Sequence, residues 1–345
     1  MYVFDYIKEN ISCFEFVLTK KCNYQCSYCF VEQDNKYDMS FEMMSDIFSS
    51  YKKENKKYDI MFFGGEPLLK KDIILLFLQK YFNDCNKYTL ITNGSLLTEE
   101  FIKECMKYKN VYIQISIDGP EDIHNKYRID KNNMGTFKQT MDGIQLLKKL
   151  NYPNWGLHST CSEFHIPYMY DILDLLLKEK GSNNNDIFSM FSNMQIIHDC
   201  DSYTEETLKQ FEENAIKIFT KYPQIKEQMK RRPHRIYCSA GNSLFTFWNT
   251  GDISPCHRFY YTNKSSTKIG NFIDGYYDEN LLRVLSKKNR DSFYGLKSCK
   301  ECNNFYCYSC PLANYHNTND YYITPAIYCW FKQETYKILN KLVNY

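Results

Sequence analysis

Residues 21–30 read KCNYQCSYCF and set Cys22, Cys26 and Cys29 in a CxxxCxxC triplet, with Tyr28 before the last thiol and Phe30 after it. Three thiolates in so short a span can hold three irons of a cubane [4Fe–4S] cluster and leave the fourth without a protein ligand. A fourth thiolate would close the cluster for electron transfer. Three leave a Lewis-acidic, redox-active iron to which a small chelating molecule can bind. Taken alone, the triplet has two other readings: buried apolar cysteines, or a zinc site.

Outward from the triplet, the first 200 residues alternate short apolar runs with amphipathic stretches. Runs at 14–18, 59–63, 88–92, 111–117, 155–160 and 193–197 are predicted strands. Helices are predicted over 40–56 after Ser40, over 72–83, over 98–108 after Thr98, over 136–150, and over 167–180 ending at Gly181. Repeated strand-then-helix order implies parallel strands with right-handed crossovers. The fold class is therefore α/β, a partial or full β/α barrel, read from its six strand repeats as a partial (β/α)6, TIM-like one, followed by a small cysteine-rich C-terminal domain. Each chemically loaded segment falls just after a predicted strand, where parallel α/β folds collect their active sites.

Those segments carry a resemblance. The triplet resembles the signature of radical S-adenosylmethionine (SAM) enzymes, in which the SAM amino and carboxylate groups chelate the open iron. The second strand runs into Gly64, Gly65, Glu66 and Pro67, a sharp turn similar to that family's SAM-amino-group motif. Asn93 after the third strand, and Ser116 and Asp118 at the end of the fourth, match the family again. The resemblance implies that Ser116 and Asp118 contact the ribose of SAM and that Arg128, in HNKYR, pairs with its carboxylate. Read singly, Gly64 and Gly65 are also an ordinary turn, Asp118 a turn residue and Arg128 a surface charge.

From 237 to 330 the alternation stops, and seven of the 15 cysteines fall between 238 and 329. So small a piece has little core, and metal clusters would supply its cross-links. The order is Cys238, Gly251, Cys256, Cys299, Cys302, Cys307, Cys310 and Cys329. This looks like the SPASM extension of radical SAM enzymes, which binds two auxiliary [4Fe–4S] clusters. By that resemblance Cys299, Cys302, Cys307 and Cys329 hold one cluster, and Cys238, Cys256 and Cys310 the other. The second set is one ligand short, leaving His234, His257, Cys200 or a group of the substrate as the fourth. The run from Cys299 to Cys310 is one residue shorter in each of its last two gaps than the common family spacing. A zinc ribbon is the other reading of its two CxxC pairs. The implied domains are a radical SAM barrel at 1–200, a helical bridge at 201–236, the auxiliary-cluster domain at 237–330 and a terminal helix at 331–345.

Cys13, Cys85 and Cys105 read as packing residues. Cys161 and Cys200 follow the fifth and sixth strands, where a thiol would be placed to donate a hydrogen atom to a substrate radical, or is a bystander in the core. The absence of an apolar N-terminal stretch of signal length or of any bilayer-length run makes the cytoplasm the expected compartment and excludes a membrane partner. In that reducing compartment 15 cysteines point to metal rather than disulfides. Net charge is +2, from 43 basic and 41 acidic side chains, so no overall field draws in nucleic acid. The one basic cluster, Lys230 to Arg235, reads as a solvated face or a dock for an acidic peptide or RNA.

The resemblance to SPASM-bearing enzymes implies three [4Fe–4S] clusters, SAM, a ribosomally made peptide or protein substrate, and a low-potential electron donor of flavodoxin or ferredoxin type. The expected activity is oxidative peptide maturation, with a thioether or other cross-link as product. Sulfatase maturation, peptide epimerisation and non-catalytic electron carriage are the alternatives. The 20 or so residues before the triplet leave no room for a leader-gripping domain, so leader recognition is expected from the catalytic body or a separate protein.

Overall fold

Strand followed by helix is the rhythm of the computed structural model. It describes residues 3–34, 36–161, 163–181, 194–196, 203–231, 239–258, 268–285 and 326–344, with 312, 314, 318 and 320. Its strands are β1 (Cys13–Val17), β2 (Tyr58–Phe63), β3 (Cys85–Thr92), β4 (Val111–Ser116), β5 (Trp155–Cys161), β6 (Met194–Ile196), β7 (Leu244–Trp248), β8 (Asp252–Ser254), β9 (Gly270–Asn271) and β10 (Tyr276–Tyr277). Among its helices are α1 (Val3–Asn10), α2 (Phe41–Tyr51), α3 (Lys71–Tyr81), α4 (Glu99–Met106), α5 (Glu121–Tyr127), α6 (Phe137–Lys149) and α7 (Met169–Lys180). All six strands and five helices expected of the first 200 residues are present, and the α/β class with its parallel sheet stands.

The chain divides into two units. The first comprises Met1–Ser116, Tyr127–Gly156 and Ser239–Asp291. Its strands lie in the order β10-β9-β8-β7-β1-β2-β3-β4. The pairs β7–β1, β1–β2, β2–β3 and β3–β4 are parallel, and β7 through β10 join antiparallel. Side chains alternate along each strand. Phe14, Phe16, Ile60, Phe62, Tyr88, Leu90, Ile113 and Ile115 are buried on one face. The opposite face shows half-exposed Met61, Phe63, Thr89, Ile91, Tyr112 and Gln114.

Aromatic rings make the covered face. Phe14 meets Phe48 of α2 at 5.0 Å, Phe16 meets Phe77 of α3 at 5.6 Å, and Phe48 meets Tyr81 at 4.8 Å. Each ring taken from water contributes roughly 1.5–3 kcal/mol, which anchors α2 and α3 to the sheet. The helices start where their caps are: the Ser40 hydroxyl accepts from Met43 N, and the Thr98 hydroxyl from Phe101 N. The chain leaves α2 earlier than expected because Lys52 is extended and Asn55 sits at φ 60°. Two short helices, α1 and α5, were not expected; at eight and seven residues they carry too few turns for periodicity to show.

The second unit comprises Ile117–Lys126, Leu157–Cys238 and Ser292–Tyr345. Within it β5 and β6 pair in parallel, Ser159 opposite Met194 and Cys161 opposite Ile196. The helix Glu205–Lys221 opens on Thr204 in a capping box with Thr207 and packs against the helix Ala326–Asn344, where the Tyr203 and Phe331 rings stack at 3.9 Å. Among the described residues no helix is long and apolar enough to cross a membrane.

Candidate active site

The triplet loop leaves the end of β1 and is held from two sides by main-chain hydrogen bonds. Gly65 N donates to Thr19 O at 2.8 Å and Glu66 N to Lys21 O at 2.9 Å. From the other side, Gln25 N donates to Ile129 O at 2.7 Å and Ser27 N to Tyr127 O at 2.9 Å. The approach of the turn after β2 is close enough to exclude any side chain. A Cβ on Gly65 would lie 2.3 Å from Lys21 O, and one on Gly64 2.5 Å from Thr19 O. These glycines are therefore required by the cluster loop itself, which the sequence alone does not reveal.

Side chains complete the clamp. Asp38 accepts from Thr19 Oγ1 at 2.6 Å and pairs with Lys21 at 2.9 Å and Lys70 at 2.6 Å. Burial pushes its carboxyl up, but hydrogen bonds from Lys70, Thr19 and Lys21 outweigh that and hold it at about 2. Asn93 Nδ2 donates to Asn23 Oδ1 at 3.0 Å, Asn23 Nδ2 to Ser95 Oγ at 2.8 Å, and Ser95 Oγ to Asn93 Oδ1 at 2.7 Å. That closed ring of amides and hydroxyl ties the residue after Cys22 to the end of β3. Neither Asp38 nor Asn23 stood out in the sequence, since nothing local marks a partner so distant along the chain.

Within the loop, Tyr24 N donates to Cys22 Sγ at 3.3 Å and Cys29 N to Cys26 O at 3.0 Å. Cys22 and Cys26 are half-buried, Cys29 is exposed. Burial pushes the free Cys22 thiol up to about 12, so iron must supply the force that deprotonates it. The donor set fits an open cubane: three thiols on one loop, an N–H aimed at a sulfur as such clusters use to tune potential, and no fourth cysteine in the run. Among the described residues no three His, Cys, Asp or Glu side chains converge on one point as ligands of a single ion would.

Six of the seven expected SAM residues, Gly64, Gly65, Glu66, Asn93, Ser116 and Arg128, lie in the same unit as the triplet. Glu66 is 1% exposed and accepts from Thr92 Oγ1 at 2.7 Å, Leu68 N at 2.9 Å and Asn93 N at 2.9 Å. Burial raises its carboxyl, against those three donors. Its first duty is thus to join the ends of β2 and β3. Ser116 closes β4, and buried Arg128 sits over the Tyr28 ring at 5.6 Å. Asp118 belongs to the second unit, fully buried, its Oδ1 accepting from Thr160 N at 3.0 Å.

Of the expected auxiliary ligands, Cys256 lies in the first unit, where Ser254 Oγ donates to its carbonyl at 3.2 Å. Cys329 lies in the second, on the helix Ala326–Asn344, near Gln333 Nε2 at 3.4 Å. Cys238, Cys299, Cys302, Cys307 and Cys310, together with Cys200 and the basic stretch from Arg232 to Arg235, lie outside the described residues. Cys161 is the last residue of β5.

A three-thiol loop clamped at the mouth of a parallel α/β sheet defines a class, and residues 16–163 match the Radical SAM superfamily. That stretch is a radical SAM domain, and the chain is an iron–sulfur, SAM-binding enzyme. Among its relatives is the serine-type anaerobic sulfatase-maturating enzyme of Bacteroides thetaiotaomicron, 23% identical over 87% of this chain and 82% of that protein. An uncharacterized protein of Methanocaldococcus jannaschii is 28% identical over 69% of this chain and 82% of its own length. Among solved structures, native anSMEcpe with bound AdoMet and Cp18Cys peptide superposes with a TM-score of 0.67 at 19% identity, covering 97% of this chain and 98% of that one. Streptococcus suis SuiB bound to its precursor peptide SuiA gives 0.56 at 14% identity, over 92% and 76%. Both share the fold, a TIM-like partial barrel.

Proposed function

We propose that this enzyme is a peptide maturase that oxidatively modifies a ribosomally made peptide, with a thioether from a cysteine sulfur to a neighbouring carbon as the favoured product. The observation that carries the reading is the triplet loop locked by backbone against the Gly64–Gly65–Glu66 turn. Bound together, cluster and SAM supply a 5′-deoxyadenosyl radical that abstracts a hydrogen atom from substrate. The chain's own residues bind, orient and exclude water. Cys22, Cys26 and Cys29 would hold three irons of the cluster. The turn at Gly64 to Glu66, with Asn93, Ser116 and Arg128 of the same unit, would receive SAM, Arg128 pairing with its carboxylate. The half-exposed face of the sheet, away from the helices, is the face on which an extended peptide would lie.

Peptide substrates are supported by relatives and neighbours: a cysteine-type sulfatase maturase of Clostridium novyi, 30% identical over 38% of this chain, and the peptide-bound anSMEcpe and SuiB. Residues 237–330 are assigned to a SPASM-like domain with two auxiliary [4Fe–4S] clusters. The Cys238, Cys256 and Cys310 set is one ligand short, and a peptide thiolate filling that place would present its sulfur to the substrate carbon radical, the auxiliary cluster accepting the electron released as the carbon–sulfur bond forms. Cys161 and Cys200 remain the candidates for a hydrogen donor, and a flavodoxin- or ferredoxin-type protein in a reducing cytoplasm would deliver the electron. Sulfatase maturation is the second reading, favoured by the likeness to anSMEcpe along nearly the whole chain.

Anaerobic incubation of enzyme, SAM and reductant with cysteine-containing peptides tests the assignment. Deoxyadenosine with a peptide lighter by two hydrogens and a sulfur no longer alkylatable is the expected result. Formylglycine on a sulfatase-derived peptide replaces thioether formation by the second reading. No deoxyadenosine under any condition removes both.

A further inference from the structure

Glu15 stands in the middle of β1, in the run Cys-Phe-Glu-Phe-Val, 1% exposed. A carboxylate buried in a sheet costs several kcal/mol unless its oxygens are satisfied. Phe14 and Phe16 project into the aromatic core, so Glu15 projects to the opposite face, in register with Met61 of β2 and Thr246 of β7. Oε2 accepts from Thr246 Oγ1 at 2.6 Å, and Oε1 pairs with His257 Nδ1 at 2.8 Å. The His257 ring stacks on Phe63 at 4.3 Å and on Phe30 at 5.6 Å. Phe63 is the last residue of β2 before Gly64, and Phe30 directly follows Cys29. Phe30 and Phe63 also stack on each other at 6.3 Å, so the imidazole joins a three-ring cluster with the aromatic that ends the triplet and the one that precedes the glycine turn.

We propose that His257 is a substrate-contact residue whose Nε2 accepts a hydrogen bond from a backbone N–H of the bound peptide, with Glu15 as the residue that positions it. Nδ1 bonded to Glu15 fixes the ring, and imidazole geometry turns Nε2 away from that carboxylate. The His257 side chain is 29% exposed, and Nε2 has no hydrogen-bond partner among the described residues. A purely structural ring at this place needs no buried carboxylate: phenylalanine would stack on Phe63 as well. Keeping Glu15 inside the sheet is accounted for if one edge of the ring must be held still while the other is used. An acceptor flanked by two phenylalanine rings suits an extended peptide, whose amide N–H is framed by side chains on either side. The proposal rests on the peptide-maturase reading and gives that substrate its first contact on this chain.

The test uses the reconstituted holoenzyme and a synthetic cysteine-containing peptide that the parent modifies, together with versions N-methylated at one residue at a time. The parent is expected to show a peptide KM about tenfold higher at a single methylated position, with deoxyadenosine formation retained. His257→Phe keeps the stack and is expected to raise KM by a similar factor for the plain peptide while becoming indifferent to methylation there. Glu15→Gln, which still accepts from Nδ1, is expected to stay near the parent, and Glu15→Leu to follow His257→Phe. The double variant Glu15→Gln, His257→Phe removes the stranded buried charge should the single one fold poorly. Equal response of parent and His257→Phe to every methylated peptide overturns the proposal. So does loss of cluster iron in His257→Phe, which would make the residue an iron ligand. A parent that modifies no peptide fails the function reading instead.

Discussion

Replacing Gly65 by alanine asks whether the turn after β2 sets the cluster loop. The added carbon would meet Lys21 O at 2.3 Å, Lys21 C at 2.6 Å and Lys20 O at 2.7 Å, where ordinary contact begins near 3.4 Å. All three are main-chain atoms and cannot swing aside, so the loop must retreat by about 1 Å. Retreat stretches the bonds from Gly65 N to Thr19 O and from Glu66 N to Lys21 O. At roughly 0.5–1.5 kcal/mol each, with about 1–3 kcal/mol of overpacking, the loss comes to about 2–6 kcal/mol. Gly275→Ala is the control, because its added carbon has nothing within 4 Å and bears only the left-handed backbone at φ +67°, about 1–2 kcal/mol. Guanidinium unfolding of the metal-free proteins gives the energies. After reconstitution, the change in the reduced cluster's paramagnetic resonance on adding SAM shows whether the open iron still takes its ligand. Gly65→Ala is expected to unfold earlier than Gly275→Ala and to lose most of the SAM-dependent change. Equal midpoints with the SAM response intact would refute the clamp.

Asp38 is held at about 2 from an ordinary 3.8, so its stabilisation is complete above 3.8 and is lost as pH falls toward 2. After solvent screening that is worth about 1 kcal/mol, and Asp38→Asn is expected to flatten the stability curve of the metal-free protein between about pH 4 and pH 2. Glu66→Gln places an amide N–H₂ against one of three donors now satisfied by carboxylate oxygens. It is expected to lower unfolding free energy by about 2–3 kcal/mol, seen as an earlier denaturation midpoint. Changing Cys22, Cys26 and Cys29 together to alanine is expected to abolish deoxyadenosine formation and lower iron per chain; unchanged turnover would contradict the assignment of the open cluster.

Much of this fold was legible because its signals are local. Ser40 and Thr98 are caps one can read, and the alternation in Tyr58–Phe63 follows from which side chains face the helices. The end of α2 was placed several residues late because leucine-free, lysine-rich Lys52–Lys57 carries no strong breaker, and the left-handed Asn55 is visible only in the backbone. The site was half legible. The thiols, the glycine turn and Arg128 announce themselves by type and order, whereas the reason for Gly65 lies in the carbonyl of Lys21, which no spacing rule names. Glu15 did leave a trace, a charge between two phenylalanines in an apolar strand. Its partners, 231 and 242 residues away, left none.

The neighbour of β1 on its far side is β7, and the bond between Glu15 and Thr246 spans 231 residues. A ribosome adding about 5–20 residues per second needs roughly 10–50 s between making the two. For that interval the strand that bears the triplet is an unpaired edge, open to wrong partners. Iron delivered before then would meet thiols on a half-built wall, so insertion of the cluster belongs after β7 has been made and has sealed the open side of β1.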